Sequence, residues 1–167
     1  MDVADRVVLI TGASSGVGAA LATQLGEMGA RVVVNYSRSA EAAEAVVAQL
    51  EEVGGRALAV QADVSEEADC KRLVATTVEH FGQLDVLVNN AGTTTFVPHD
   101  QLDALTEDIW MRTLRVNLIG AFMMSREAAP HIEAAGGGEI VMTSSIASMT
   151  ANGSSIAYCA SKAGMNS

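Results

Sequence analysis

A glycine-rich turn set directly between an apolar strand and a helical stretch constrains the fold of this chain more than any other feature. Residues 6–11 form a buried-strand pattern, and residues 16–28 carry apolar side chains at helical spacing. Between them, Gly12 allows a tight turn, Gly16 lets the backbone approach a ligand, and Gly18 lets the helix pack closely. The helix start offers free N–H groups to a phosphate. A dinucleotide-binding turn is therefore predicted, with a plain glycine turn as the alternative.

The same alternation of strand and helix continues along the chain. Strands are predicted over residues 6–11, 31–35, 57–61, 85–89 and 139–143. Helices are predicted over residues 16–28, 40–53 and 65–81 with Ser65 as an N-cap, over 102–135 with a break near Thr113, and from about Ala157. Strands that are apolar throughout, each followed by a helix, imply a parallel sheet covered on both faces. The predicted fold is therefore an α/β, doubly wound Rossmann sheet of five strands in one domain, 1–167.

Charge and cysteine content narrow the partners and the setting. The formal net charge is -10, so the chain repels phosphate backbones and no nucleic-acid partner is expected. Cys70 and Cys159 lack the spacing of a disulfide framework or a metal site. No apolar run reaches about 18 residues, and the N-terminal segment is acidic where a signal peptide is basic. We therefore expect no metal, no membrane association and a reduced, cytoplasmic setting.

Further motifs follow the predicted strands in order. They are TGxxxGxG at 11–18, Asp63-Val64 after the third strand, NNAG at 89–92, VNL around Asn117, Ser144-Ser145 after the fifth strand, and YxxxK from Tyr158 to Lys162. In this order the chain resembles the short-chain dehydrogenase/reductase family. The residues of these motifs are most similar to those of bacterial 3-oxoacyl-carrier-protein reductases and sugar dehydrogenases.

The resemblance implies a nicotinamide cofactor and the residues that hold it. These are Thr11, Gly12, Ser14, Ser15, Gly16, Val17, Gly18, Tyr36, Ser37, Arg38, Asp63, Val64, Asn89, Asn90, Ala91, Gly92, Tyr158 and Lys162. The segment after the second strand has no Asp or Glu for a ribose 2′-hydroxyl, whereas Arg38 suits a 2′-phosphate through bidentate hydrogen bonds. NADP(H) is therefore the favoured cofactor and NAD(H) the alternative, with Arg38 then an ordinary exposed loop arginine.

The resemblance also implies a catalytic tetrad of Asn117, Ser145, Tyr158 and Lys162. Tyr158 and Lys162 are four residues apart, so a helix places them on one face. A neighbouring ammonium stabilises a phenolate that exchanges a proton with the substrate oxygen. In the family, the serine hydrogen-bonds that oxygen, the lysine holds the nicotinamide ribose, and the asparagine holds a water of a proton relay. The implied reaction is hydride transfer between NADP(H) and a small-molecule carbonyl or secondary alcohol.

The family pattern extends beyond the residues of this sequence. A sixth strand, a substrate lid and a seventh strand have no counterpart in residues 1–167, so the fifth strand is expected to be an exposed edge. Two interpretations stay open. One is an active oxidoreductase that forms homo-oligomers, dimers or tetramers, through its long helices. The other is a non-catalytic dinucleotide-binding fragment or interaction module without a substrate lid.

Overall fold

A computed structural model describes residues 3–167, and a parallel sheet of five strands forms its centre. The strands are β1 (Val7–Ile10), β2 (Arg31–Tyr36), β3 (Arg56–Gln61), β4 (Val86–Asn89) and β5 (Glu139–Met142). Their order across the sheet is β3-β2-β1-β4-β5, and all neighbouring strands are parallel. The predicted doubly wound α/β class is thereby confirmed. The strand order reverses between β1 and β4, which is where sheets of this class bind ligands.

Helices cover both faces of this sheet and connect its strands. They are α1 (Gly16–Glu27), α2 (Ala40–Glu52), α3 (Glu67–Phe81), α4 (Glu107–Leu114), α5 (Ala121–Ala134), α6 (Ala147–Thr150) and α7 (Ile156–Asn166). A 3₁₀ turn, Leu102–Ala104, precedes α4, and a π-helical segment, Arg115–Gly120, joins α4 to α5. Among the described residues, no helix combines the length and apolar character needed to cross a membrane.

Two separate cores result from the alternation of side chains along the central strand. Val7 and Leu9 of β1 belong to the core that includes side chains of α3 and α5. Val8 and Ile10 belong to the core that includes side chains of α1 and α2. Because both faces of β1 are covered, all four of its side chains are buried, as the continuous apolar run predicts.

Helix α3 begins at Glu67, so the prediction that Ser65 caps it is wrong. The N-cap position is Glu66, which makes no side-chain capping bond. Ser65 is held by the preceding aspartate instead, since both its backbone N–H (3.0 Å) and its hydroxyl (2.7 Å) donate to Asp63 Oδ1. An aspartate that binds the backbone two residues ahead stabilises a turn, and this local turn competes with the capping geometry.

The helical stretch 102–135 has no break at Thr113. Helix α4 starts after the N-cap Thr106, and Thr113 donates its hydroxyl to the Ile109 carbonyl (2.7 Å) within a continuing helix. The irregularity begins two residues later, at Arg115, the first residue of the π-helical segment. In that segment Gly120 packs closely on the loop that follows β3, and a Cβ on Gly120 would lie 2.7 Å from the Val64 carbonyl oxygen. A π turn widens the helix locally without ending it, so a long helix is retained.

Strand β5 is an exposed edge, as predicted. All four of its residues are exposed, among them the apolar side chains of Ile140, Val141 and Met142. Among the described strands β5 has one neighbour, β4, and Val141 of β5 pairs with Val88 of β4. An apolar edge strand of this kind favours pairing with further β structure.

Candidate active site

The carboxyl ends of the strands open into two adjoining clefts that share the loop after β4. The first, called here the turn cleft, has a volume of about 450 Å³ and is lined by residues that follow β1, β2 and β3. The second, called here the tyrosine cleft, has a volume of about 480 Å³ and is lined by Tyr158 of α7 and the residues after β5. Asn90, Gly92 and Thr93 line both clefts. Groups bound in the two clefts would therefore meet at this loop.

Most of the residues predicted to bind a cofactor line the turn cleft. They are Gly12, Ser14, Ser15, Tyr36, Ser37, Arg38, Asp63, Val64, Asn90, Ala91 and Gly92. The predicted residues Tyr158 and Lys162 line the tyrosine cleft. Neither cleft is lined by the remaining predicted residues, which are Thr11, Gly16, Val17, Gly18 and Asn89.

Two glycines of the turn are required by close contacts. Gly12 has a φ of +64°, and a Cβ there would lie 2.9 Å from the Ala91 Cα. A Cβ on Gly18 would lie 2.5 Å from Asn90 Nδ2 and 2.6 Å from the Gly12 carbonyl oxygen. Gly16 also has a positive φ, +57°, but open space surrounds it. The turn and the loop after β4 therefore pack against each other backbone to backbone, which only glycine allows.

Thr11 and Asn90 lock these two loops together through hydrogen bonds. Thr11 Oγ1 accepts from the backbone N–H groups of Asn90 and Ala91, each at 3.0 Å. Asn90 Nδ2 donates to the carbonyl oxygens of Thr11 (2.9 Å) and Gly12 (3.1 Å). Thr11 is buried and acts behind the cleft wall, so its contribution is to shape the site.

The start of α1 is open to an anion. Its N-cap, Ser15, makes no side-chain capping bond, and the first turn contains no acidic residue. Ser14 and Ser15 line the turn cleft beside it. Unsatisfied N–H groups at a helix start, without a competing carboxylate, suit a phosphate group.

Two charged residues, Arg38 and Asp63, also line the turn cleft. Arg38 is exposed and has no hydrogen bond or ion pair with any of residues 3–167. Asp63 Oδ1 accepts the two bonds from Ser65, so this carboxylate is fixed in the cleft wall. The cleft thus combines a free guanidinium, an oriented carboxylate and an open helix start, and such groups can bind the phosphate and hydroxyl groups of a ligand.

Helix α7 brings the YxxxK pair to the tyrosine cleft. Ser155 caps the helix by accepting from the Tyr158 N–H (3.4 Å). Lys162 Nζ lies 5.9 Å from the centroid of the Tyr158 ring, and it donates to the Thr143 carbonyl oxygen (2.6 Å). Lys162 is only 3% exposed, and this burial lowers the pKa of its ammonium. Convergence of the two side chains, which spacing alone left open, is therefore seen in the fold.

Ser145 reaches the same cleft from the loop after β5. Its Oγ accepts from the Ala147 N–H (3.2 Å), which holds the hydroxyl at the start of α6. Ser145, Tyr158 and Lys162 all line the tyrosine cleft. A hydroxyl, a phenol and an ammonium around one cavity can bind and protonate an oxygen atom.

Asn117 is fully buried in the π-helical segment and lines neither cleft. Its Oδ1 accepts from the Thr93 N–H (2.7 Å), and its Nδ2 donates to the Thr93 carbonyl oxygen and to Ser161 Oγ, both at 3.0 Å. Both polar atoms of the side chain are thus engaged by protein groups. A Cβ on Gly92 would lie 3.6 Å from Asn117 Oδ1 and 3.8 Å from Lys162 Nζ, so the two residues approach the same point of the loop.

Sequence reasoning missed Asn35, which supports the glycine turn from β2. Its Oδ1 accepts from the Gly12 N–H (3.1 Å), and its Nδ2 donates to the carbonyl oxygens of Val60 (3.2 Å) and Ala62 (3.0 Å). A signal was present, because one amide side chain interrupts an otherwise apolar strand, and a buried amide needs partners. Arg112 of α4 also lines the turn cleft, and no motif pointed to it.

No group of three or more His, Cys, Asp or Glu side chains within residues 3–167 could hold a metal ion. Cys70 and Cys159 are buried free thiols, and burial raises the pKa of Cys70 to about 11.

A family model described as short chain dehydrogenase matches residues 6–167. The chain belongs to this short-chain dehydrogenase family. The motifs that carry the resemblance lie along both clefts, which agrees with the match over nearly the whole sequence.

Individual short-chain dehydrogenases are similar to this chain in sequence and in fold. A Streptomyces violaceoruber protein named as ketoacyl reductase 2 of the granaticin polyketide synthase is 49% identical over 158 residues, which are 95% of this chain and 62% of that protein. Versicolorin reductase 1 of Aspergillus parasiticus is 44% identical over 140 residues, 84% of this chain and 52% of its own length. A Burkholderia cenocepacia short chain dehydrogenase solved in complex with NADP superposes with a TM-score of 0.89 at 39% identity, covering 99% of this chain and 66% of that structure. The chain therefore spans between about half and two thirds of the length of these relatives.

Proposed function

We propose that this protein transfers a hydride between NADP(H) and a small-molecule carbonyl or secondary alcohol, with Tyr158 as the acid–base group. One observation carries the proposal: Ser145, Tyr158 and Lys162 surround a cleft that shares Asn90 and Gly92 with the turn cleft. A substrate oxygen beside Tyr158 then lies next to the edge of a cofactor held in the turn cleft. The names of both sequence relatives, a ketoacyl reductase and a versicolorin reductase, support the reduction of a ketone.

Ser145, Tyr158 and Lys162 have distinct tasks in this reaction. The bound cofactor supplies or accepts the hydride. Tyr158 gives its phenolic proton to the carbonyl oxygen as that oxygen becomes an alcohol, and it accepts the proton in the reverse direction. Ser145 donates a hydrogen bond to the same oxygen and stabilises its developing negative charge. The Lys162 ammonium, close to the Tyr158 ring, stabilises the phenolate left behind.

Asn117 takes part through the positions of its neighbours. Because its amide is bonded to Thr93 and to Ser161, it connects the loop of the shared cleft wall to α7. If a water takes part in a relay to Lys162, as the family resemblance implies, it would need a group other than the Asn117 side-chain amide, because both polar atoms of that amide are engaged by protein groups.

The cofactor is held, in this proposal, along the whole turn cleft. The open start of α1 and the hydroxyls of Ser14 and Ser15 bind the pyrophosphate, and Asp63 with Val64 contacts the adenine. Tyr158 and Lys162 contact the nicotinamide end. Arg38 binds the 2′-phosphate of NADP(H), and NAD(H) is the weaker alternative. The NADP bound by the Burkholderia cenocepacia relative supports this order of preference.

The protein is further proposed to be one domain that forms homo-oligomers in the cytoplasm. Met111, Ile119 and Phe122 are exposed along the continuous helix formed by α4, the π-helical segment and α5, and they offer an apolar face to a second copy. Buried free thiols suit a reducing compartment. Light scattering of the full chain and of its Phe122→Glu variant tests the oligomer, and an unchanged mass would exclude this face as the contact.

A non-catalytic dinucleotide-binding module is the second candidate function. The open start of α1 and the unpaired Arg38 of the turn cleft favour this candidate, because both could hold a dinucleotide without any turnover in the tyrosine cleft. Turnover separates the two functions. Oxidation of NADPH by the full chain in the presence of a ketone supports the enzyme, whereas cofactor binding without any turnover across a ketone panel supports the module.

The charge of Arg38 provides the test of cofactor choice. Arg38→Glu is expected to weaken NADPH binding about tenfold or more, while NADH binding stays the same or strengthens. Dissociation constants are measured by fluorescence titration of the full chain. Lys71→Glu, which makes the same change of charge on the exposed side of α3, is the matched control. An unchanged ratio of the two constants would show that Arg38 does not contact the 2′-phosphate.

A further inference from the structure

Arg112 occupies a position in the turn cleft that differs from that of Arg38. A side depression of about 280 Å³ adjoins the turn cleft and is lined by Asp63, Ser65, Arg112, Arg115 and Val116. Asp63, Arg112 and Val116 line both cavities, whereas Arg38 lines the turn cleft alone. Arg112 therefore belongs to the part of the cleft where Asp63 stands.

The guanidinium of Arg112 is available to a ligand. It is exposed and forms no hydrogen bond or ion pair within the described part of the chain, even though Asp63 lines the same two cavities. Carboxylates are plentiful in a chain with a net charge of -10, and Arg6 and Arg72 each pair with one. Asp63 directs Oδ1 to Ser65 instead. Arg112 is therefore an unpaired cation at the wall of the turn cleft.

We propose that Arg112 packs its guanidinium against the adenine of the bound cofactor and is a further cofactor-binding residue. The inference rests on the proposed function, because it needs a dinucleotide in the turn cleft with its adenine at Asp63. A planar guanidinium stacks well on an aromatic base and gains from the attraction between a cation and a π system. Val116, one helical turn further along, lines the same wall and provides an apolar contact to the base.

This role predicts a pattern of binding constants that a 2′-phosphate contact cannot produce. Adenine is common to NADPH, NADH and 5′-AMP, so loss of a stacking cation weakens all three ligands by the same factor. Arg112→Ala is expected to raise each dissociation constant about two- to fivefold. Arg112→Lys keeps the charge but not the planar group, and it is expected to recover only part of the loss.

The experiment is a set of titrations on the full chain with NADPH, NADH and 5′-AMP. Arg115→Ala is the matched control. Arg115 is an exposed arginine in the π-helical segment that continues α4, and it lines the side depression but not the turn cleft. Equal loss for the three ligands in Arg112→Ala, with no loss in Arg115→Ala, supports the inference. Since both side chains are exposed, thermal unfolding of the two variants is expected to match that of the unsubstituted protein.

Three results would overturn the inference. A loss confined to NADPH would assign Arg112 to the 2′-phosphate rather than to adenine. Equal constants for Arg112→Ala and the unsubstituted protein would exclude any contact with the ligand. Absence of binding of all three ligands by the unsubstituted full chain would contradict the proposed function itself, and the inference with it, so the two failures are distinguishable.

Discussion

Lys162 combines a charge with nearly complete burial, and this combination depends on two neighbours. Its Nζ donates to the Thr143 carbonyl oxygen at 2.6 Å and lies 5.9 Å from the centre of the Tyr158 ring. Burial lowers the pKa of the ammonium, and the hydrogen bond to Thr143 replaces part of its lost hydration. A buried lysine with a phenol beside it is an arrangement suited to proton exchange rather than to stability.

Removal of the Tyr158 hydroxyl isolates the acid–base step. We expect Tyr158→Phe to lower kcat by about 100-fold or more, since general acid–base catalysis contributes at least that factor in typical cases. The NADPH dissociation constant is expected to change less than about twofold, because the ring and the neighbouring Lys162 remain. Steady-state assays and fluorescence titration of the full chain measure the two effects. Turnover close to that of the unsubstituted protein would refute the acid–base task of Tyr158.

Ala151 is strained in its backbone, one residue before Asn152 of the tyrosine cleft. It ends α6 with a φ of 51°, in the left-handed region where a Cβ costs about 1 kcal/mol. We expect Ala151→Gly to raise the free energy of unfolding by about 0.5–1 kcal/mol and to increase Tm.

A matched control separates this relief of strain from a general effect of glycine. Ala135 ends α5 in the right-handed region, with a φ of -75°, so Ala135→Gly relieves no strain and is expected to be neutral or destabilising. Urea unfolding of both variants gives the comparison. A similar change in both would mean that the left-handed backbone of Ala151 stores no measurable strain.

At the scale of elements, the site depends on how closely the turn after β1 approaches the loop after β4. Thr11 and Asn90 bond the two loops in both directions, and Gly12 and Gly18 leave the space for this contact. The four groups act together, because a displaced Asn90 amide would release the carbonyl oxygens of both Thr11 and Gly12.

Gly18→Ala tests the contact between the turn after β1 and the loop after β4. Its added carbon would lie 2.5 Å from Asn90 Nδ2, so we expect NADPH binding to weaken more than about tenfold and stability to fall by about 2–3 kcal/mol. Gly16→Ala is the comparison, since no atom lies within 4 Å of its added carbon and only its φ of +57° opposes the change. Calorimetric binding and thermal unfolding measure both. A Gly16→Ala variant that loses more stability than Gly18→Ala would contradict the role of close contact.

At the scale of the whole molecule, Asp85 connects the amino ends of the two central strands. Its carboxylate accepts from the Val7 N–H (2.7 Å), from Gln83 Nε2 (2.6 Å) and from Arg6 (2.8 Å). Burial raises the pKa of Asp85, but these hydrogen bonds and the Arg6 charge together outweigh it, so the pKa lies below the usual 3.8. The native state therefore binds fewer protons than the unfolded state in the acid range.

The pH dependence of stability follows because the pKa of Asp85 is lower in the native state than in the unfolded state. The contribution of Asp85 is complete above pH 3.8 and is lost as the pH falls through its lowered native-state pKa. We expect Asp85→Asn to lower the free energy of unfolding by about 2 kcal/mol at neutral pH, of which the ion pair with the partly exposed Arg6 is a small part because solvent screens it. The variant is also expected to lose less stability than the unsubstituted protein as the pH falls. Asp100→Asn, which removes the same charge from an exposed loop, is the control. Urea unfolding at several pH values would contradict this account if both variants kept the steepness of the unsubstituted protein.

The fold could be read from the sequence because its signals are local. Each of the five strands was predicted within one residue of its observed ends, since a buried parallel strand is a short apolar run between turn residues. The errors fall where two local geometries compete. Ser65 lost the capping position to an Asp63 turn, and a π-helical segment replaced the break near Thr113.

The sequence by itself determined the family, the glycine turn and the candidate tetrad, because these depend on residue type and spacing along one chain. Only the tertiary structure decided which of those side chains face a cavity. Asn117 is turned to Thr93 and Ser161, Asn35 supports the glycine turn from another strand, and Arg112 joins the cleft wall. Each of these outcomes depends on contacts between residues more than 20 positions apart, or on which cavity the packed helices leave open, and neither has a periodic signal in the sequence.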